Sequence, residues 1–143
     1  MTDAVPPPIA EGLLTGPPDA PALLADRCAH CSAWSFPRQG FCSRCGAEDP
    51  TPTALPRQGM LWTWTVQRFP PVGEYAGPTG DRFEPYGLGY VEFDDGLRIE
   101  GRLSGTDLAD LRIGMPMETV AAPFDRVDGG PVLTYAFRAV RQP

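Results

Sequence analysis

The chain has 143 residues, 42% of them hydrophobic, with 12 basic against 18 acidic side chains for a net charge of -6. That length holds one modest domain, or one domain with a small satellite, and excludes two full-sized ones. Every basic residue is an arginine, and an acidic balance lowers the case for nucleic-acid binding, which normally needs a basic face to neutralise phosphates.

The 18 prolines and 16 glycines favour short strands and turns over long helices. No stretch approaches the roughly 18 apolar residues that cross a bilayer. The opening MTDAVPPPIAEG lacks a basic region followed by an apolar one. The expected location is therefore the cytoplasm, with no membrane attachment. In a reducing compartment, four closely spaced cysteines are better explained as metal ligands than as disulfides.

Residues Met1 to Pro8 read as a flexible, proline-rich tail. Apolar residues follow at Ile9, Leu13, Leu14, Leu23 and Leu24, interrupted by Pro17 and Pro18. With Asp19 as cap and Pro21 in the first turn, a short helix is expected to run toward Arg27. Residues 1–26 thus form a tail and a short helix, 27–50 a metal ribbon and 57–140 a β-rich domain.

Cys28 and Cys31 form one C-x2-C pair, and Cys42 and Cys45 another ten residues later. Each pair makes a tight knuckle with two thiolates aimed at one ion, and the intervening segment is long enough for a hairpin that joins the knuckles. Soft thiolates in a tetrahedral set select zinc over hard cations, with a single iron as the alternative. Four cysteines close the coordination sphere, so the ion is expected to be structural. His30, the only histidine, reads as a knuckle residue. Between the knuckles Trp34, Phe36 and Pro37 make an apolar tip too large for the ribbon to bury, a candidate contact for the neighbouring domain or for another protein.

After a linker rich in turn residues, Gly59 to Phe69 reads as a strand, with Trp62, Trp64 and Val66 on one side of a period-two pattern that suits a barrel core. Pro70 to Pro85 shows no periodicity. Loops this long are often functional, so Tyr75, Arg82 and Phe83 are candidate site residues. Strands are expected at Tyr86–Phe93 and Leu97–Leu103, joined by an Asp94-Asp95-Gly96 turn, and at Pro116–Ala122 and Val132–Val140, joined by an Asp128-Gly129-Gly130 turn. A helical turn at Leu108–Leu111 separates the third strand from the fourth. This count and order suit a small five-stranded OB barrel. Arg98 and Arg102 share one strand face and are the remaining candidates for holding phosphates. No phosphate loop, HExxH helix or nucleophile elbow is present, and no catalytic residue is assigned.

The order Cys28, Cys31, Phe36-Pro37, Cys42, Cys45-Gly46, followed by Gly59-Met60-Leu61-Trp62-Thr63-Trp64-Thr65-Val66 and Val91-Glu92-Phe93-Asp94-Asp95-Gly96, resembles the zinc-ribbon OB-fold family once catalogued as a domain of unknown function. The resemblance covers roughly Leu23 to Val140. It implies an N-terminal helix, a rubredoxin-like ribbon with a structural zinc ion, and a C-terminal OB barrel. It further implies a non-catalytic subunit that assembles with a thiolase, a lipid-transfer-type aldolase of steroid or lipid breakdown, or a MaoC-like hydratase, and that helps to form an acyl-CoA pocket. The rival expectation is a single-stranded nucleic-acid module with Trp62 and Trp64 as stacking platforms. A free-standing enzyme using the loop residues is the third.

Overall fold

The computed structural model describes residues 6–73, 76–126 and 129–141. Nine strands form two sheets: a small one built on β1 (Leu14–Thr15), β2 (Ala22–Arg27), β3 (Trp34–Ser35) and β4 (Thr51–Ala54), and a closed barrel of β5 (Gln58–Gln67), β6 (Tyr86–Glu92), β7 (Arg98–Leu103), β8 (Pro116–Arg126) and β9 (Gly130–Ala139). The barrel order β5-β6-β7-β9-β8, with β7 and β9 parallel, is the expected five-stranded OB arrangement.

The N-terminal helix is replaced by strands. Residues Leu14 and Thr15 pair with Leu23 and Ala22 across a turn in which Ala20 N–H donates to Pro17 C=O at 3.0 Å. Leu23 and Ala25 are fully buried while Ala22 and Leu24 are not, a period of two rather than 3.6. β3 and β4 pair with the same strand, and this tertiary ladder overrides a weak local helix signal.

The end of the expected tail is also ordered. Leu133 N–H donates to Pro7 C=O at 2.8 Å, and Ile9 N–H donates to Leu133 C=O at 2.7 Å, so residues 7–9 add a short parallel bridge to the edge of β9. The same geometry explains how β8 runs on to Arg126 through Pro123. Leu133 turns its N–H and C=O away from β8, so Pro123 opposite it sits at a non-hydrogen-bonded position and its missing N–H costs no ladder bond. Of the turn joining these strands, Asp128 lies outside the described residues.

A bulge corrects the reading of β5. Leu61 faces Val91 and Thr63 faces Tyr90, which leaves Trp62 as the extra residue and reverses the parity beyond it. Leu61 is fully buried and Trp64 packs against the core, whereas Trp62 is turned out and 44% exposed. The two tryptophans therefore do not share the core face.

Ribbon sheet and barrel share one apolar core: Leu23, Ala25 and Leu55 belong to the same cluster as Leu61, Val91, Met117 and Phe137. Trp34 and Phe36 pack on that cluster, and the Phe36 ring meets Tyr135 edge-on at 5.7 Å. Burial, with Glu100 adding to it, pushes the Tyr135 hydroxyl up to about 12, and it donates to Glu100 C=O at 2.6 Å. Arg57 ties the two halves together. Its guanidinium donates to Pro21 C=O in the ribbon sheet and Thr119 C=O in the barrel, each at 3.0 Å.

The interior admits no side chain at Gly101, where a Cβ would lie 2.6 Å from the Phe137 ring. Gly101→Ala is expected to destabilise the chain by about 1–3 kcal/mol in urea unfolding. In the double variant with Phe137→Leu, the loss should be smaller than the sum of the two single losses, because the substitutions relieve each other at one contact.

Candidate metal centre and barrel surface

The two C-x2-C segments fold as near repeats. Cys28 N–H donates to Ala33 C=O at 2.9 Å and Cys42 N–H to Ala47 C=O at 2.8 Å, while Ser32 and Gly46 N–H groups donate back to Cys28 and Cys42 C=O, each at 2.9 Å. Both knuckles need a left-handed residue at the fourth position after the leading cysteine: Gly46 takes it at φ 78, and Ser32 takes it at φ 66, where its Cβ is strained.

Each knuckle aims two backbone N–H groups at its leading sulfur. His30 and Cys31 donate to Cys28 Sγ, and Arg44 and Cys45 to Cys42 Sγ, all at 3.4 Å. The four sulfurs lie within 4.8 Å of one another, with Cys28–Cys45 at 3.6 Å and Cys31–Cys42 at 3.5 Å. A tetrahedral Zn–S of about 2.3 Å requires sulfurs about 3.8 Å apart, so the set fits one zinc ion.

The thiols are unequal. The Cys31 N–H is the main cause holding Cys28 below the usual thiol range, and the N–H groups of Cys45 and Arg44 bring Cys42 down to about 6. For Cys45, the Ala47 N–H acts downward, but desolvation and the sulfurs of Cys28, Cys31 and Cys42 outweigh it and push the thiol up to about 12. Several thiolates cannot crowd together without a cation between them. Zinc supplies that charge and closes the ribbon, and its four protein ligands leave no position for a substrate. His30 is exposed and donates only its backbone to the site.

Around the knuckles, Ser43 and Ser35 hydroxyls meet at 3.0 Å, and Arg38 Nε donates to Asp26 Oδ1 at 2.9 Å. Asp26 is almost fully buried, so this pair anchors the hairpin between the knuckles to β2. Of the apolar tip residues, Trp34 and Phe36 are largely engaged with the barrel and Pro37 remains exposed.

The loop candidates divide. Arg82, in a 3-10 turn at Gly80–Arg82, and Arg102, from β7, line one cleft of about 390 Å3 together with Glu84 and Asp125. A second cleft of about 210 Å3 lined by Val72, Tyr86, Tyr135 and Ala136 adjoins it through Arg102, Pro123 and Phe124. Phe83 meets Tyr86 edge-on at 6.1 Å, and the Arg102 guanidinium lies over the Tyr86 ring at 4.0 Å. Tyr75 lies outside the described residues. Arg98 is not gathered here: it stacks on Trp62 at 3.9 Å and pairs with Glu92 at 2.9 Å. Sequence reasoning passed over Tyr86, Phe124 and Tyr135, whose only signal was aromatic character on strand positions next to the long loop.

Comparison with known families follows this division of the molecule. The "ChsH2, rubredoxin-like zinc ribbon domain" matches residues 16–51, and the "ChsH2, C-terminal OB-fold domain" matches residues 52–122. The chain belongs to the ChsH2 family of zinc-ribbon OB-fold proteins. It is 31% identical to the benzoylsuccinyl-CoA thiolase subunit BbsA of Thauera aromatica, over 90% of this chain and 85% of that one. It is 26% identical to a DUF35 domain-containing scaffold protein of Pyrococcus furiosus, over 72% and 71%. Among solved structures, the Ltp2-ChsH2(DUF35) aldolase superposes with a TM-score of 0.56 at 25% identity, covering 82% of this chain and 84% of that one.

Cys45→Ser or Cys42→Ser is expected to lose zinc, measured by elemental analysis, and to unfold the ribbon. Binding at neutral pH should release protons, because Cys45 retains its own to about 12 in the absence of a cation. Lowering the pH should therefore weaken zinc binding, which calorimetry in buffers of different ionisation enthalpy will read as a proton count.

Proposed function

We propose that this chain is a non-catalytic accessory subunit of an acyl-CoA enzyme complex, holding a thiolase- or aldolase-type partner and contributing to its acyl-CoA pocket. The observation that carries the reading is the match along nearly the whole chain to BbsA, named as a thiolase subunit, together with the superposition on an aldolase named for its ChsH2(DUF35) component. A third relative, named a probable enoyl-CoA hydratase alpha subunit of Thermomonospora curvata, is 28% identical over 66% of this chain but only 28% of its own length, which keeps a hydratase partner in view.

The physical argument agrees. Zinc with four thiolate ligands offers no open coordination position, and the one histidine is exposed on a knuckle. What the chain offers instead is rigid surface: ribbon and barrel on one core, and a bipartite groove with a charged end and an apolar end. In this reading Arg82 and Arg102, which share a cleft with Glu84 and Asp125, would take the phosphates of a CoA thioester, with Phe83 and Tyr86 as the adjoining aromatic wall. Tyr75 belongs to the same proposal as a secondary contributor and Pro37 to the partner contact, whereas Arg98, held by Trp62 and Glu92, lies apart from the groove. The cellular setting is a hetero-oligomer in a reducing, cytoplasmic compartment, engaged in lipid or steroid breakdown. Among the described residues no helix is long and apolar enough to cross a membrane.

The nucleic-acid alternative is disfavoured on the face where OB barrels take oligonucleotides, since β6 and β7 present Glu92 and Glu100 there and Trp62 is already stacked by Arg98.

Co-expression with a thiolase-, aldolase- or hydratase-type subunit, if one is encoded beside this gene, should give one peak in size-exclusion chromatography and acyl-CoA turnover that neither chain shows alone. Arg82→Ala with Arg102→Ala should raise KM for the acyl-CoA about 10-fold or more with kcat little changed, the pattern of lost uniform binding. Turnover of acyl-CoA by this chain alone, or tight salt-sensitive oligonucleotide binding by a monomer, would overturn the assignment.

A further inference from the structure

A third cleft lies on the outer face of β5, β6 and β7, away from the long loop. Thr63, Trp64, Leu88, Tyr90 and Glu100 line about 180 Å3 there. Leu88 and Tyr90 give it apolar walls beside the hydroxyls of Thr63 and Thr65, and Glu100 is its one charged lining residue.

The surroundings of Glu100 are informative. Its carboxylate accepts only a long bond of 3.4 Å, from the Tyr90 hydroxyl, while its backbone C=O is taken by the Tyr135 hydroxyl. The arginines two residues before and after it on β7 both turn elsewhere: Arg98 lies on Trp62 and pairs with Glu92, and Arg102 lies over Tyr86. Among the described residues, no cation stands within ion-pair distance of Glu100. The cleft thus combines an apolar channel with an unpaired carboxylate, although two cations are close enough in sequence to have paired with it.

Beside the cleft the bulge at Trp62 aims that ring outward, edge-on to Tyr90 at 6.3 Å. Met60, Trp62 and Tyr90 are 49%, 44% and 39% exposed on this one face. Trp, Tyr, Met and Arg are the residues enriched at protein interfaces, and a ring of them around a small cleft is the arrangement in which one inserted side chain becomes an anchor.

We propose that this cleft receives a lysine or arginine side chain from the partner protein, its aliphatic stem lying along Thr65, Leu88 and Tyr90 and its charged head on the Glu100 carboxylate. Long basic side chains match both parts of the site, since their stems bury on apolar surface and their heads pair with carboxylates. Sealing Glu100 under any neutral partner would strand a charge, so the chemistry selects for a cation. A nucleic-acid strand is repelled by the same carboxylate. The inference rests on the accessory-subunit reading but names a site that the acyl-CoA groove does not use.

The test measures affinity of the full chain for its co-expressed partner subunit by calorimetry at low and high salt. Glu100→Gln should weaken binding about 10- to 100-fold and flatten the salt dependence. Trp62→Ala should weaken binding while leaving the salt dependence in place. Both variants should keep the wild-type zinc content and unfolding midpoint, because both side chains are exposed. Wild-type affinity and salt dependence in Glu100→Gln would overturn the site while leaving the accessory reading intact. Failure of the wild-type chain to bind any such partner would remove both. Oligonucleotide binding lost in Trp62→Ala and strengthened in Glu100→Gln would assign the face to nucleic acid and overturn the proposal.

Discussion

Four sulfur atoms held within 4.8 Å of one another are the constraint on which the rest of the structure depends. They cannot all carry charge unless a cation sits between them, and a ribbon of this size cannot bury enough apolar surface to hold itself closed. The backbone is shaped for the ion. Two left-handed residues close the knuckles, and four N–H groups point at the two leading sulfurs. With the knuckles fixed, the hairpin between them is held by Asp26 and Arg38 and presents Phe36 to Tyr135. A zinc ion held by these sulfurs would fix the hairpin that carries Phe36 to the barrel.

The barrel completes a single body. Leu23 and Ala25 from the ribbon sheet enter the same core as Leu61 and Phe137, and Arg57 bridges carbonyls on both sides of the joint. Two independent modules on a flexible linker would lose orientation entropy on binding a partner; a fused pair has already lost it. That preorganisation suits a docking subunit. It also separates the surfaces cleanly, with the arginine-lined groove under the long loop and the Trp62–Tyr90–Glu100 face on β5 to β7.

Electrostatics distinguish these two surfaces although one strand supplies both. Along β7, Arg98, Glu100 and Arg102 project from the same face, yet each is committed differently: Arg98 to Trp62 and Glu92, Arg102 to Tyr86 beside Arg82, and Glu100 to a cleft without a cation. A net charge of -6 describes the chain as a whole and says nothing of this alternation. Local pairing, rather than the sum, decides what each surface recognises.

The amino-acid sequence by itself determined the zinc ligands, because C-x2-C spacing dictates knuckle geometry locally, and it determined the barrel, because five period-two segments in that order have few ways to close. It named Arg82, Arg98 and Arg102 alike as candidates; the folded chain brings Arg82 and Arg102 to one cleft and turns Arg98 to Trp62 and Glu92. Only the tertiary structure decided that residues 22–27 extend rather than coil, since β1, β3 and β4 supply the ladder that local propensity did not foresee. The same holds for Pro7 to Ile9, whose hydrogen bonds go to a strand more than a hundred residues away. Trp62 and Trp64 show the limit most clearly: their spacing places them on one face, and a single bulged residue packs Trp64 against the core and turns Trp62 to the outer surface. A bulge arises from the pairing of two strands, and pairing is a property of the fold rather than of either segment.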